Sequence, residues 1–257
     1  MHIIKISNNI DLIHFKPKNE SYVGYNMLLL KNEDECILID TGYERHYQKI
    51  KDYIDSKEYS LKQIIISHFH NDHIGGLPFN RDIPIHGNIK GRDTLQKYLE
   101  EYKAYLPNRP IVGPKTIQFG ELTIKIIPNK GHSVDGLIID INNTYLYVGD
   151  DMILSHEGDA ILPFCADQDF NQQLAGLKNV MKYTKDKVVI PAHGTVLYNE
   201  EVIIQDIENR IKYRKLLFTT NGLENNISGV ITYEETLKNT EIRLKAKQAA
   251  LTDKKVE

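Results

Sequence analysis

Three consecutive isoleucines, Ile64, Ile65 and Ile66, run almost directly into the hexapeptide HFHNDH at residues 68–73. An apolar, β-branched run of this kind reads as a buried strand, and the hexapeptide sets three imidazoles and a carboxylate at its end. Side chains of an extended segment alternate with a period of two, so His68 and His70 project to one side, where they can grip one ion. The chain must then turn and present Asp72 and His73 in another direction, where a second ion could sit beside the first. Neutral imidazole nitrogens with a carboxylate suit zinc, and iron or manganese also accept this set. The alternative is a polar loop that happens to be rich in histidine; the spacing and the preceding strand argue against it.

Composition narrows the class without choosing the chemistry. With 257 residues and 41% hydrophobic content, the chain is an ordinary globular protein of one large domain or two small ones. A formal net charge of −3 is no polyelectrolyte signature, so whole-surface charge gives no support for nucleic acid or an anionic membrane as partner. The two cysteines, Cys36 and Cys165, are too few for a disulfide framework, and Cys36, in the apolar run CILID, reads as a buried free thiol. No stretch approaches the ~20 apolar residues of a membrane span, and the N-terminus lacks a basic region followed by an apolar core. The expectation is a cytoplasmic protein with no nucleic-acid or membrane partner; nothing here sets an oligomeric state.

Short β-branched runs at 3–6, 11–15, 25–30 and 36–40, separated by turn residues, predict an antiparallel meander. Residues 44–57 carry Tyr47, Ile50, Tyr53 and Ile54 at helical spacing, which predicts a surface helix leading into a strand at 63–67. A short strand at 83–86, an amphipathic helix at 92–105 bearing Leu95, Tyr98, Leu99 and Tyr102, and a proline-punctuated loop at 106–114 follow. The second half repeats this order, with strands at 116–119, 122–127, 136–141 and 145–148, a helix at 169–184 with Asp169 as candidate cap, and a strand at 188–190. Two such halves suggest two sheets packed face to face with helices outside. From Glu200 the pattern is helical: Val202, Ile203, Ile207 and Ile211 form a stripe, a polar connection lies at 221–229, and a segment rich in Glu, Lys and Ala spans 233–251. The expected division is a metal-binding domain at 1–200 and a C-terminal helical extension at 201–257.

Three further segments end a predicted strand with a metal-capable residue: GHS at 131–133, GDD at 149–151 and PAHG at 191–194. Loops at strand ends are where a rigid scaffold brings distant residues together. Singly, each is weak; with HFHNDH they supply the remaining ligands for two ions. These four motifs, together with ILIDTG at 37–42, resemble the metallo-β-lactamase superfamily over roughly residues 22–200. The resemblance implies an α/β (α+β) fold, a four-layer αββα sandwich of two mixed sheets with the site along the edge where they meet. It implies that His68, His70 and His132 hold one metal, that Asp72, His73 and His193 hold the second, and that Asp150 bridges them. Two zinc ions per chain are the implied cofactors, with iron or manganese compatible. Asp40 matches the superfamily's early aspartate, which orients ligands rather than ligating. By position after Gly149 the bridge falls to Asp150 rather than Asp151. The proline usual before the Gly-His pair is absent from PNKGHS, which keeps the ligand but leaves the turn undefined.

Two cations sharing a water lower its pKa toward neutrality and yield a hydroxide nucleophile, while a metal stabilises the oxyanion that develops. Asp72 is placed to orient that hydroxide and is the catalytic candidate; no independent general acid is evident. Members of the superfamily hydrolyse β-lactams, lactones, thioesters and phosphodiesters, and fold alone does not choose among them. True β-lactamases of similar sequence carry Cys or Ser where Asp150 stands, and glyoxalase II enzymes resemble GHEYT where this chain has PAHGT. RNase Z and related phosphodiesterases resemble SHFHNDHIGGLP at 67–78, but the basic arm that would clamp RNA is not evident. The expected substrate is a small organic ester, thioester or lactone. A phosphodiesterase is the second reading, and an iron oxygenase or a ligand-binding member of the same fold is the reading from another class.

The remaining candidates read more blandly. His86, His156, His2, His14 and His46 are expected to be structural or exposed, with a place in the pocket wall as the sharper alternative for His156, which lies close to GDD. Cys165 reads as a packed thiol. The tyrosines of 92–105 read as aromatics packed on a sheet, with a lid in which Arg109 meets an anionic substrate as the sharper alternative.

Overall fold

The computed structural model describes residues 1–17, 23–161 and 170–219. Its first sheet holds seven strands in chain order: β1 (His2–Ser7), β2 (Ile10–Phe15), β3 (Tyr25–Asn32), β4 (Glu35–Ile39), β5 (Ser60–Ile65), β6 (Ile85–Asn88) and β7 (Arg109–Ile111). The first four form the expected antiparallel meander. From β4 to β7 the pairing is parallel. Parallel neighbours need long crossovers, and α1 (Glu44–Ser56) and α2 (Gly91–Tyr98) lie in two of them.

The second sheet is built from β8 (Lys115–Phe119), β9 (Leu122–Pro128), β10 (Leu137–Ile141) and β11 (Tyr145–Tyr147). A small hairpin follows, β12 (Ile153–Leu154) with β13 (Ala160–Ile161); then α3 (Phe170–Met181) leads to β14 (Val188–Ile190), which pairs parallel to β11. Helix α4 (Glu200–Thr219) closes the described chain.

Leu28 and Leu30 of β3 and Ile37 and Ile39 of β4 meet Ile124 and Ile126 of β9 and Ile139 and Ile141 of β10 in one apolar layer between the sheets. The opposite face of the first sheet, with Met27, Leu29, Leu38 and Ile64, packs on Tyr47, Ile50 and Ile54 of α1. Ile138, Leu146 and Val189 of the second sheet are covered by Leu177 and Val180 of α3 and by Ile203 and Ile207 of α4. The unbroken apolar run MLLL in β3 therefore has a physical reason, since both faces of its sheet are covered. The result is the four-layer αββα sandwich. Among the described residues, no helix is long and apolar enough to cross a membrane.

Several local expectations are corrected. The helix expected at 92–105 stops at Tyr98, and a separate 3-10 turn holds Tyr102–Tyr105. Leu95, Leu99, Tyr102 and Tyr105 belong to the outer core shared with α1, the packing reading rather than the lid. The proline-punctuated loop contains the edge strand β7, and the hairpin of β12 and β13 is too short to leave a periodic signal. In α4, Val202 is 53% exposed, whereas Ile203, Ile207 and Arg210 are fully buried. These three stand at i, i+4 and i+7, one face of a 3.6-residue helix, and Val202 lies a step off it. Cys165, Asp169, the connection at 221–229, the segment at 233–251 and the rest of the extension after residue 219 lie outside the described residues.

Candidate metal centre

The motif residues leave strand ends at one edge of the sandwich: His68, His70, Asp72 and His73 after β5, His132 after β9, Asp150 after β11 and His193 after β14. The fold gathers them into two groups that share a member, His68, His70 and His132 with Asp150, and Asp72, His73 and His193 with Asp150. In the first, Nε2 of His68 and Nε2 of His132 each lie 3.0 Å from His70 Nδ1, and both lie 3.7 Å from Asp150 Oδ2. In the second, Nε2 of His73 and Nε2 of His193 lie 3.4 Å and 3.3 Å from Asp150 Oδ1. The same two nitrogens are 3.7 Å from Asp72 Oδ1 and 3.4 Å from Asp72 Oδ2, respectively.

Ligands about 2.0–2.1 Å from a tetrahedral zinc stand about 3.3–3.4 Å from one another, so both groups have the spacing of a coordination shell. Asp150 turns one oxygen to each group. His73 Nε2 and Asp150 Oδ1 are buried with no hydrogen-bond partner among the described residues. A buried polar atom in that position is costly unless something such as a cation completes it. The donor set therefore fits a pair of divalent cations.

Phe69, 1% exposed, points into the core while its neighbours His68 and His70 face the centre, the period-two alternation of extended chain. Asp40 directly follows β4 with φ +56°, a left-handed conformation that is strained for a non-glycine residue. Its Oδ1 accepts from Ser67 N at 2.7 Å, and its Oδ2 accepts from Ser67 Oγ at 2.6 Å, from His73 Nδ1 at 2.8 Å and from the Tyr147 hydroxyl at 2.9 Å. A carboxylate only accepts, so the proton of His73 sits on Nδ1 and the Nε2 lone pair faces the group. His193 is set the same way by Gly24 O, 2.9 Å from its Nδ1.

The second carboxylate of GDD points elsewhere. Asp151 accepts from His132 N at 2.8 Å and from Asn129 Nδ2, so it braces the GHS turn that lacks its proline. Gly149, at φ +54°, allows the reversal that separates the two carboxylates from β11. Asp135 accepts from Phe69 N at 2.8 Å, from Thr94 Oγ1 at 2.9 Å and from Ser133 Oγ, tying the HFHNDH loop to α2. Reasoning from sequence missed Asp135, Asn129 and Tyr147. Asp135 could have been suspected from its place two residues after GHS; Tyr147 carries no such signal.

Electrostatics divide the centre. Burial pushes His68 well below the usual histidine range, lowers His70 and brings His132 down to about 3, so these are neutral lone-pair donors at pH 7. Burial acts against charge on the other side too, but there the carboxylates prevail. Asp150, Asp40 and Asp72 raise His73 well above its usual value, and Asp150 with Asp72 raises His193 to about 10. Against burial, His73 and His193 hold Asp72 at about 2, and His193, His73 and His68 hold Asp150 well below the carboxylate range. This side favours positive charge, whether a proton or a metal cation.

The other sequence candidates stand apart. His86 bonds Gln63 Oε1 at 2.9 Å, His46 stacks on Phe15 at 4.4 Å, and exposed His156 stacks on His14 at 6.2 Å, with His2 paired across the strand from His14. None belongs to either group. Arg109 is exposed on β7 and bonds the carbonyl of Asn108. Tyr25, by contrast, stands edge-on to His193 at 4.9 Å and to Tyr43 at 5.8 Å. Burial raises both phenols, with Asp72 adding to the shift, so each keeps its O–H at neutral pH.

A sequence model described as the metallo-beta-lactamase superfamily matches residues 22–193. A second, of class-I fructose-bisphosphate aldolase, matches residues 198–256, less than a quarter of the chain, and shows no family. The beta-lactamase-like protein 2 homolog of Drosophila melanogaster is 24% identical over 225 residues, covering 81% of this chain and 70% of that protein. The lactamase-like protein vrtG of Penicillium aethiopicum is 27% identical over 68% of this chain, which spans only 53% of vrtG. Among solved structures, a metallo-beta-lactamase from Pontibacter korlensis matches with TM-score 0.69 at 17% identity, covering 83% of this chain and 98% of that one. TMB-1 matches with TM-score 0.65 at 23% identity, covering 86% and 97%. At these identities the structural matches establish the fold.

Proposed function

The chain belongs to the metallo-beta-lactamase superfamily, and from that premise we propose that it is a hydrolase that holds two divalent cations, zinc in the first instance. His68, His70 and His132 would hold one cation, Asp72, His73 and His193 the other, and Asp150 would bridge them. The observation that carries this reading is the division of Asp150, whose Oδ2 faces His68 and His132 while its Oδ1 faces His73 and His193. Bound cations would supply Lewis acidity, making a water nucleophilic near neutral pH and stabilising negative charge on an attacked oxygen.

The chain's own groups supply orientation. The Asp72 side chain is 23% exposed against 7% for Asp150, so it is the carboxylate an incoming molecule can reach. Anionic at neutral pH, it accepts a hydrogen bond from the attacking water and fixes its direction. On the same side Tyr43 keeps its proton, accepts from Tyr25 and can donate to a substrate oxygen. We favour a small organic ester, thioester or lactone as substrate, since the net charge of −3 offers no general attraction to a polyanion.

Metal analysis with a hydrolysis screen tests the proposal. Zinc at about two ions per chain, with thioester or lactone turnover that a chelator removes and zinc restores, is the expected result. Turnover confined to phosphodiesters would replace the substrate class. A single iron with oxygen-dependent turnover would overturn the hydrolase.

A further inference from the structure

We propose that Asn26 is a positioning residue for His193, acting through the backbone that carries this imidazole, and that His14 braces the Asn26 amide and Gly24 from the other side. The inference rests on reading His193 as a metal ligand. Asn26 is the second residue of β3 and is 1% exposed. Its Nδ2 donates to Pro191 O at 2.9 Å and to Gly194 O at 2.8 Å, the carbonyls on either side of the Ala192–His193 pair. Its backbone N donates to Ala192 O at 2.7 Å. Its carbonyl lies 2.9 Å from the Tyr147 hydroxyl, which shares its single proton between this oxygen and Asp40 Oδ2, also 2.9 Å away. Each of these bonds ends on the ligand loop or its brace.

The amide can face only one way. Two carbonyls need donors, so the NH2 edge is turned to the PAHG loop and Oδ1 is left toward His14, whose Nδ1 lies 2.8 Å away. An acceptor there places the His14 proton on Nδ1. The His14 ring in turn closes on Gly24, where an added Cβ would meet His14 Cε1 at 2.9 Å. Gly24 O is the acceptor that orients His193 Nδ1 at 2.9 Å. The path from His14 through Asn26 to residues 191–194, through His193 to Gly24 and back to His14 is closed. From the far side the loop is held by Leu154 N, 3.1 Å from His193 O. The bonds of Asn26 run to the PAHG loop, to His14 and to Tyr147, which braces Asp40 beside His73, so its influence should fall on the His73 and His193 group of the centre.

Asn26→Asp keeps the size and the acceptor for His14 but turns an oxygen toward two carbonyls; His14→Gln leaves Asn26 in place and removes the ring packed on Gly24. Zinc is withdrawn from the loaded proteins with a graded chromophoric chelator, and thermal midpoints are recorded beside it. We expect one class of zinc to weaken by about 10–100-fold in Asn26→Asp and by less in His14→Gln, with the other class unchanged. NMR of chelator-treated protein should show a slowly exchanging His193 Nδ1 proton in the wild type that is lost in Asn26→Asp. Equal weakening of both classes in step with the thermal midpoint, or no change in either, would overturn the proposal. Should Asn26→Asp fail to fold, His14→Gln decides on the same criteria. Wild-type protein that takes up no zinc would remove the metal reading, whereas the Nδ1 proton still decides whether Asn26 sets the His193 ring.

Discussion

His73 joins Asp40 to Asp150: its Nδ1 lies 2.8 Å from Asp40 Oδ2 and its Nε2 lies 3.4 Å from Asp150 Oδ1. One buried imidazole thus connects the strained residue after β4 to the carboxylate shared by both groups. Asp40→Asn would leave Ser67, His73 and Tyr147 competing for one neutral oxygen. The expected cost is about 3–5 kcal/mol of stability, as for other broken buried pairs, and about 10–100-fold in metal affinity. Urea midpoints and bound zinc per chain measure the two; a variant equal to wild type in both would show that the Asp40 bonds are idle.

His70→Ala and Asp150→Asn act on the centre itself and leave the sandwich core untouched. Both should abolish hydrolysis and lower zinc content, with circular dichroism unchanged. Undiminished turnover in both would take these residues out of the site.

Arg210 ties α4 to the centre at one remove. Fully buried on α4, it donates to Ile161 O at 2.6 Å and Ile153 O at 2.7 Å and pairs with Asp206 at 2.6 Å, gripping the hairpin of β12 and β13 whose Leu154 N holds His193 O. Arg210→Met strands Asp206 and two carbonyls and should cost about 3–5 kcal/mol. Arg210→Lys should recover only part, because an ammonium lacks the planar fork that reaches both carbonyls. Chemical denaturation of the two variants checks the order, and a Lys variant as stable as wild type would contradict it.

Two histidines outside the centre set an acid limit on the fold. Burial first, with nearby Arg45 and Lys49 for His46 and Lys115 and Arg109 for His86, lowers each from 6.5 to about 4. Between those values the unfolded chain binds protons that the folded chain refuses, so the stability contributed by these two histidines is complete above about pH 7 and is lost as pH falls through 6.5 toward 4. The urea midpoint of wild type should therefore drop more between pH 7.5 and about pH 4.5 than that of a His46→Phe, His86→Gln double variant. Parallel curves would assign acid sensitivity to other groups.

What the sequence determined by itself was local. β-branched runs with turn residues between them marked the strands of both sheets apart from the edge strand β7, the spacing in HFHNDH placed His68 and His70 on one side of an extended chain, and GHS, GDD and PAHG named the residues that the fold brings together with them. Periodicity and motif spacing are readable without knowing what lies opposite. Tertiary structure decided everything that depends on which loops meet. The split of the two Asp150 oxygens, the bracing of GHS by Asp151, the bond from Phe69 N to Asp135 across 66 residues, the Tyr147 contact to Asp40 across 107 and the Asn26 bond to Pro191 across 165 all follow from the two sheets closing on one edge. A hydrogen bond between residues so far apart leaves no periodicity or spacing in the chain. Only the packed sandwich makes them neighbours, because the apolar layer between its sheets holds those loops within bonding distance.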